Sequence, residues 1–588
     1  MMSFIYIISS LLLFIVAILV KKSEEKLEIT KTITIILTLT LAYNTLCAYM
    51  LNLVNIPITL LNLSIINVIF SICISIKIIK DKKIQKYAIS KTNVIVIIIL
   101  IIVVGIITNI NFEGVSRIRY VSMDAREHYK AAREFSENTA LSNKQVENNT
   151  VNGTFMPMAY VNDGIIFKIF EPYIGTVGLY KVYILLEAFI YLLTGIMFYI
   201  LIEKYVNKTN GKIIAIIFSI IYILGYPLNA WISGFHYLII GILFVEAIIY
   251  IVSQIGKLGY ELIIMFLLNF GLILSYSLFC PFVYLAEFIY FIYKYKKGED
   301  KIKLFLFVLI ALILPGMIGV AYLILPPLGN VTQGITLEGW LYKNLWSNFI
   351  LFVPFSVYAI YKSIKNKEFT FDNILYILLV IYMFVLFVGT KLGKCSQYYF
   401  GKNYFILWIM LIYLSIKGMS EFLKEKSGKY IVNICTIIYL IIFGLSIYYQ
   451  DTYVRQEAND SFKATMEIFT FNNTMIHAKN AAFVTNEELQ LFKETEKVIK
   501  EKWREEDKIL FVTDPTQERW LQSLTGYKNI LFDNKDYAIK NLKEENYKYI
   551  VTFENRNTYQ NVKEYINEEN MKIVYENSIG KIYEKKEE

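Results

Sequence analysis

The run "VIVIIILIIVVGII" (residues 94–107) is followed within fourteen residues by "VSMDAREHYKAAREF" (121–135). The first stretch carries no charge and is part of an apolar segment close to the roughly twenty residues that cross a bilayer. The second holds Asp124, Glu127 and His128, one of only three histidines in the chain. An apolar span that opens directly into acid, base and imidazole defines the fold class to test: a membrane protein with a polar outer loop.

Working outward, the whole chain supports that class. It has 588 residues, 56% of them hydrophobic, above the usual 45–50% of soluble chains. Apolar segments near 3–20, 31–52, 56–77, 92–110, 181–202, 212–226, 236–253, 260–277, 281–295, 303–325, 346–361, 373–390, 403–417 and 429–448 predict about fourteen spans. The first has no basic n-region and no small-residue cleavage site, and reads as a retained span. Cys47, Cys73, Cys280, Cys395 and Cys435 are scattered without CxxC or CxxH spacing, so neither a zinc site nor a disulfide framework is supported.

The net charge of +9 raises nucleic acid as a partner. Its distribution argues instead for membrane topology. "KKSEEK" (21–26), "KIIKDKKIQKYAISK" (77–91), "EKYVNKTNGK" (203–212), "YKYKKGEDKIK" (293–303), "YKSIKNKE" (361–368) and "SIKGMSEFLKEKSGK" (415–429) fall on one side of the predicted membrane, which is therefore cytoplasmic. The segment "KLGKCSQYYFGK" (391–402) breaks the rule, setting Lys391, Lys394 and Lys402 outside among Tyr398, Tyr399 and, just beyond, Tyr404.

The long outer regions are 111–180, 325–348 and everything after about 448. From 485 the composition turns charged. "KILFVTD", "NILFD", "YKYIVTF", "MKIVYEN" and "GKIYEK" read as strands, separated in part by helical stretches. This alternation predicts a small α/β unit with a partly parallel sheet. It contains no GxGxxG or P-loop, so nucleotide binding has no support. Three parts result: additional N-terminal helices (1–91), a membrane core (92–448) with the loop 111–180, and an extracytoplasmic α/β domain (449–588).

Two readings of 121–135 stand. Asp124 and Glu127, three apart, fit a helix cap, with Tyr129, Ala132 and Phe135 on one apolar face of an interfacial helix. The same geometry puts Asp124 and His128 on one face, near the basic Arg117, Arg119 and Arg126, as suits a general base serving an anionic substrate. Lys391, Lys394 and Lys402 are point-charge ligands for phosphate, or else snorkel to anionic lipid heads. His236 enters a span from the outer side, where an ionisable group needs a reason. "FMPMAYVNDGIIFKIFEPYIG" (155–175) reads as an amphipathic segment that either binds lipid or packs beneath the tail domain.

A carboxylate in a long first outer loop, "SMDAREH", amphipathic segments in that loop, the spans around it and a soluble outer C-terminal domain together resemble the GT-C superfamily of integral-membrane glycosyltransferases. The likeness covers roughly 92–588 in layout. Members carry an acidic residue, often as Asp-Glu, in the first outer loop; here Asp124 fits, with Glu127 three residues on. The resemblance implies an inverting transfer of sugar from a polyprenyl-phosphate donor to an extracytoplasmic glycan, lipid or protein acceptor at the plasma membrane. Asp124 would be the base, with Glu127 and His128 in support. Lys391, Lys394, Lys402, His236, Arg126 and Tyr398 would hold the lipid phosphate. No particular cofactor is implied, and a divalent metal stays open, since Asp124 and Glu127 alone do not define a metal site. A lipid-linked glycan flippase, an O-antigen-type polymerase and a non-catalytic scaffold are the competing readings.

Overall fold

The computed structural model describes residues 1–120, 124–141, 156–205, 209–256, 259–296, 301–321, 351–368, 370–424, 428–448, 483–502, 508–525, 530–531, 535–544 and 547–586. The outer region 325–348 and the segment 449–482 lie outside these.

The fold starts from four apolar helices, α1 (Met2–Leu19), α2 (Ile29–Leu53), α3 (Leu60–Asp81) and α4 (Lys91–Phe112). Hydroxyl or carboxylate caps begin the last three: Glu28 accepts from the Lys31 amide, Thr59 from Asn62 and Ser90 from Asn93. Between α1 and α2 the chain forms β1 (Leu27–Glu28), which pairs in parallel with β2 (Tyr87–Ala88) just ahead of α4. After α4 the short β3 (Ile118–Arg119) leads into α5 (Asp124–Asn138).

Helix α6 (Pro157–Glu203) is 47 residues long and bends at Gly175, whose φ of 71° and ψ of 169° break the helical repeat. A residue with a side chain is strained there and glycine is not. The segment at 155–175 thereby joins the span predicted at 181–202. Its first part, Pro157 to Ile165, is buried throughout; it packs on α5 and on α2, where the Asn44 amide donates to Asn162 Oδ1 at 3.1 Å.

The bundle continues with α7 (Thr209–Leu224), α8 (Tyr226–Ile232), α9 (His236–Gln254), α10 (Glu261–Tyr276) and α11 (Cys280–Lys296). Then come α12 (Lys301–Gly319), α13 (Val353–Lys365), α14 (Phe371–Lys391), α15 (Gln397–Lys402), α16 (Tyr404–Phe422) and α17 (Gly428–Tyr448). Among the described residues ten helical runs are long and apolar enough to cross a membrane, and Lys212–Leu224 and Tyr430–Ile442 are shorter apolar helices. The chain is an integral membrane protein. The difference from about fourteen spans has identifiable sources: 260–277 and 281–295 form one run, Glu261–Tyr295, two segments are short, and 346–350 lies outside the described residues.

The C-terminal part is α/β. Strand β4 (Phe483–Val484) pairs antiparallel with β3, tying this part to the loop after α4. Helix α18 (Asn486–Lys502) follows, then β5 (Ile509–Val512), α19 (Pro515–Thr525), β6 (Ile530–Leu531), α20 (Lys535–Glu544), β7 (Tyr549–Phe553), α21 (Asn557–Val562), β8 (Met571–Asn577) and β9 (Gly580–Lys585). The five strands run in the order β6-β5-β7-β9-β8. Strands β5, β6 and β7 are parallel, and β9 is antiparallel to both β7 and β8. The helical crossovers enforce the parallel part and the tight turn at 578–579 the antiparallel part.

Candidate functional site

Helix α5 carries the site. Ala125, His128, Tyr129, Ala132 and Phe135 are buried, a helical repeat that turns one face inward. At its start the helix lies directly on Gly234, whose φ is +74°; a Cβ there would stand 2.8 Å from the Ala125 amide nitrogen. Tyr183 of α6 donates its hydroxyl to the Ala125 carbonyl at 3.3 Å. Close backbone approach at Ala125 therefore sets where the neighbouring Asp124 stands.

Asp124, half-buried at the first position of α5, is an electrostatic neighbour of Lys402, Tyr398 and Tyr237. Lys402 closes the short α15 and is only 3% exposed. Its ammonium stands 3.3 Å from the centroid of the Phe235 ring and 4.7 Å from that of Tyr398. The Nζ has no hydrogen-bond partner among the described residues. A desolvated ammonium set against aromatic faces and without a hydrogen-bond partner among the described residues keeps its capacity for an anion.

His128 lies against Tyr237, ring centroids 4.6 Å apart. Burial, with His236 and Lys402 as further positive charges, pushes its imidazolium down to about 3, so the ring is neutral at neutral pH. Glu127 pairs with its neighbour Arg126. Burial lowers the Arg126 guanidinium, and Arg519 of the C-terminal part adds to that while Glu518 opposes it.

Below this lies a second, wholly buried group. His236 Nδ1 and Asp163 Oδ2 are 3.0 Å apart, and neither side chain has any exposure. Tyr120 donates its hydroxyl to Glu187. The Tyr120 ring stacks on Trp520 of α19 at 6.2 Å and 20°. Arg133 binds the carbonyls of Ser523, Leu524 and Thr525 at the end of the same helix. The C-terminal part thus forms one wall of the site.

The structure brings Asp124, His128, His236, Lys402 and Tyr398 together, with Arg126 and Glu127 on the adjoining turn. Lys391 and Lys394 are exposed, the former 5.6 Å from the centroid of the Phe387 ring. Sequence reasoning did not single out Asp163, Glu187, Tyr120, Tyr237 or Trp520. One signal was available for Glu187: "YILLEAFIYLL" holds an acid inside an apolar span, where ionisable groups are functional candidates by default. Among the described residues no group of three His, Cys, Asp or Glu side chains is placed to hold a metal ion.

These elements define a polytopic membrane protein in which the helix after α4 sets a carboxylate beside a buried ammonium that has no hydrogen-bond partner among the described residues. No family model matches the chain, and no curated protein matches it. Among solved structures, the chain is similar to an oligosaccharyltransferase of Archaeoglobus fulgidus, crystallised with zinc and sulfate. The identity is 11% and the TM-score 0.43, covering 78% of this chain and 68% of that one. It is also similar to ArnT of Cupriavidus metallidurans in the apo state, at 11% identity and a TM-score of 0.39, covering 82% of this chain and 97% of that one.

Proposed function

We propose that the protein is an inverting glycosyltransferase of GT-C type, moving a sugar from a polyprenyl-phosphate donor to a hydroxyl on an extracytoplasmic acceptor. The observation that carries this reading is the pairing of roles at one place: the half-buried Asp124 carboxylate beside the buried Lys402 ammonium, which has no hydrogen-bond partner among the described residues. A carboxylate is suited to take a proton, and an unpaired buried ammonium to take a phosphate.

In this mechanism Asp124 accepts the proton of the acceptor hydroxyl as its oxygen attacks the anomeric carbon. The new C–O bond forms on one face while the bond to the donor phosphate breaks on the other, so the configuration inverts. The leaving lipid phosphate takes the electron pair, and Lys402 neutralises the charge that develops on it. Tyr398 serves the phosphate from beside Lys402, Arg126 from the turn that follows Asp124, and the exposed Lys391 and Lys394 attract the anionic head group from outside. His128, neutral and on the same helical face, and Glu127, which fixes Arg126, support the base. His236 is less suited to phosphate than Lys402, because the Asp163 carboxylate lies against its ring. Apolar grooves between helices of the core 92–448 hold the isoprenoid tail. Residues 1–91 pack as additional helices, and the α/β domain within 449–588 covers the acceptor side outside the plasma membrane.

The test is Asp124→Asn in the full-length protein, supplied with a polyprenyl-phosphate-linked sugar. Transfer falls by about 10²–10⁴-fold while insertion and thermal stability stay at wild-type values. Unchanged transfer removes Asp124 as the base and this reading with it.

A further inference from the structure

Deeper in the bundle, Glu246 lies in the middle of α9, with no exposure and with neither carboxyl oxygen hydrogen-bonded among the described residues. Contrast Glu287 on α11, also buried, whose Oε2 accepts from the Asn269 amide at 2.8 Å. Two further buried polar atoms lie near Glu246. The Tyr222 hydroxyl of α7 is turned to that carboxyl, and the Trp231 indole N–H of α8 is fully buried without a hydrogen-bond partner among the described residues. Glu246 interacts electrostatically with Tyr222 and with Tyr191, and the Tyr191 and Trp231 rings are 4.8 Å apart.

This group and the outer site are linked along one face of α6. Tyr183, Glu187, Tyr191 and Thr194 are all buried, spaced four, four and three apart, so their side chains stack on a single stripe. Glu187 Oε1, His236 Nε2 and Asp163 Oδ1 are likewise buried without a partner. Buried polar groups therefore run from Asp163 and His236 past Glu187 to Trp231, Tyr222 and Glu246. Buried polar atoms in folded proteins are satisfied by protein or by water, and a run of several of them is where ordered water is expected.

We propose that Glu246 is a proton-storage site inside the bundle, joined by a file of water to the Glu187, His236 and Asp163 group beside Asp124. The ligands are water and an exchangeable proton. The file hands a proton between the Glu246 carboxyl and the outer site, with His128 and His236 as the imidazoles nearest Asp124. That this serves transfer rests on the function proposed above; that Glu246 holds an exchangeable proton does not.

The experiment is infrared difference spectroscopy on the full-length protein in nanodiscs, wild type against Glu246→Gln. A carboxyl C=O band absent from the variant is expected, shifting within minutes of transfer into deuterated water. Glu187→Gln and His236→Asn slow that shift. A band that does not exchange until the protein unfolds, or no such band, overturns the proposal. Glu246→Leu removes an uncompensated buried carboxyl, so its thermal midpoint stays at or above the wild-type value, which separates storage from a structural need. If transfer is real, Glu246→Gln lowers kcat by about tenfold or more and changes its pH profile; a wild-type rate and profile overturn the link to catalysis. The infrared measurement uses neither donor nor acceptor, so failure of the transferase reading leaves it standing.

Discussion

The Lys402 ammonium stands 3.3 Å from the centroid of the Phe235 ring, buried and without a hydrogen-bond partner among the described residues. Phe235 belongs to the turn that starts α9, and Lys402 to the short α15, more than 160 residues later. Two segments remote in sequence thus build one cation site, and the charge is kept out of water with Asp124 as its electrostatic neighbour.

Lys402→Met should therefore separate stability from activity. It removes a desolvated charge while keeping most of the side-chain volume, so the thermal midpoint stays level or rises. Transfer from a polyprenyl-phosphate-linked sugar falls by about 10²–10³-fold. A variant that loses stability and activity together would show a structural lysine instead. Detergent-solubilised protein, melted and assayed in parallel, gives both readouts.

Gly234→Ala tests how Asp124 is positioned. The backbone there has φ +74° and the new Cβ would meet the Ala125 backbone at 2.8 Å. The start of α5 must shift, displacing the carboxylate. A misplacement of about 1 Å near reacting atoms costs about 10²-fold in rate, and the strained turn loses about 1–3 kcal/mol. Gly105→Ala, on a glycine whose added Cβ meets nothing within 4 Å, is the control.

His128 makes stability depend on pH. Its folded value of about 3 lies below the ordinary 6.5, so the unfolded chain binds a proton first as the pH drops. Its contribution is complete above about pH 6.5 and is lost as the pH falls from there towards 3, by at most about 1.4 kcal/mol per pH unit. His128→Phe keeps a ring against Tyr237 and removes this slope. Unfolding midpoints at several pH values across the window compare the two proteins; equal slopes would rule His128 out as the source.

Arg133 holds the C-terminal part on the membrane part. Its guanidinium reaches three successive carbonyls, of Ser523, Leu524 and Thr525, at the end of α19. Arg133→Met leaves these without their donor and weakens the attachment by about 2–4 kcal/mol. Limited proteolysis reports this as faster release of the segment that begins near 483. Arg133→Lys recovers only part of it, since an ammonium lacks the planar fork.

How much of this was legible beforehand depends on the range of the interaction. Spans, charged loops and the strands of the tail follow from local patterns, because apolar length and period-two alternation are properties of adjacent residues. Where a pattern depends on a neighbour it left two outcomes open: 155–175 has an amphipathic look, and its polar residues Asn162 and Asp163 bond inward to Asn44 and His236, so Pro157 to Ile165 are buried while Tyr173 and Ile174 stay exposed. The predicted boundary at 277–281 falls at the junction of α10 and α11, inside the apolar run Glu261–Tyr295.

The sequence by itself determined that this is a membrane-embedded helical chain with an α/β tail, and that Asp124, His128 and the 391–402 lysines are unusual where they stand. Tertiary structure alone decided which of them meet. Lys402 is buried beside Asp124 while Lys391 and Lys394 remain exposed, although all three sit in one polar segment. It also decided that Asp163, Glu187 and Trp520 join the same wall. The physical reason is that burial and pairing are set by which helices cross. Spacing along one helix specifies a face, and only packing specifies what that face touches.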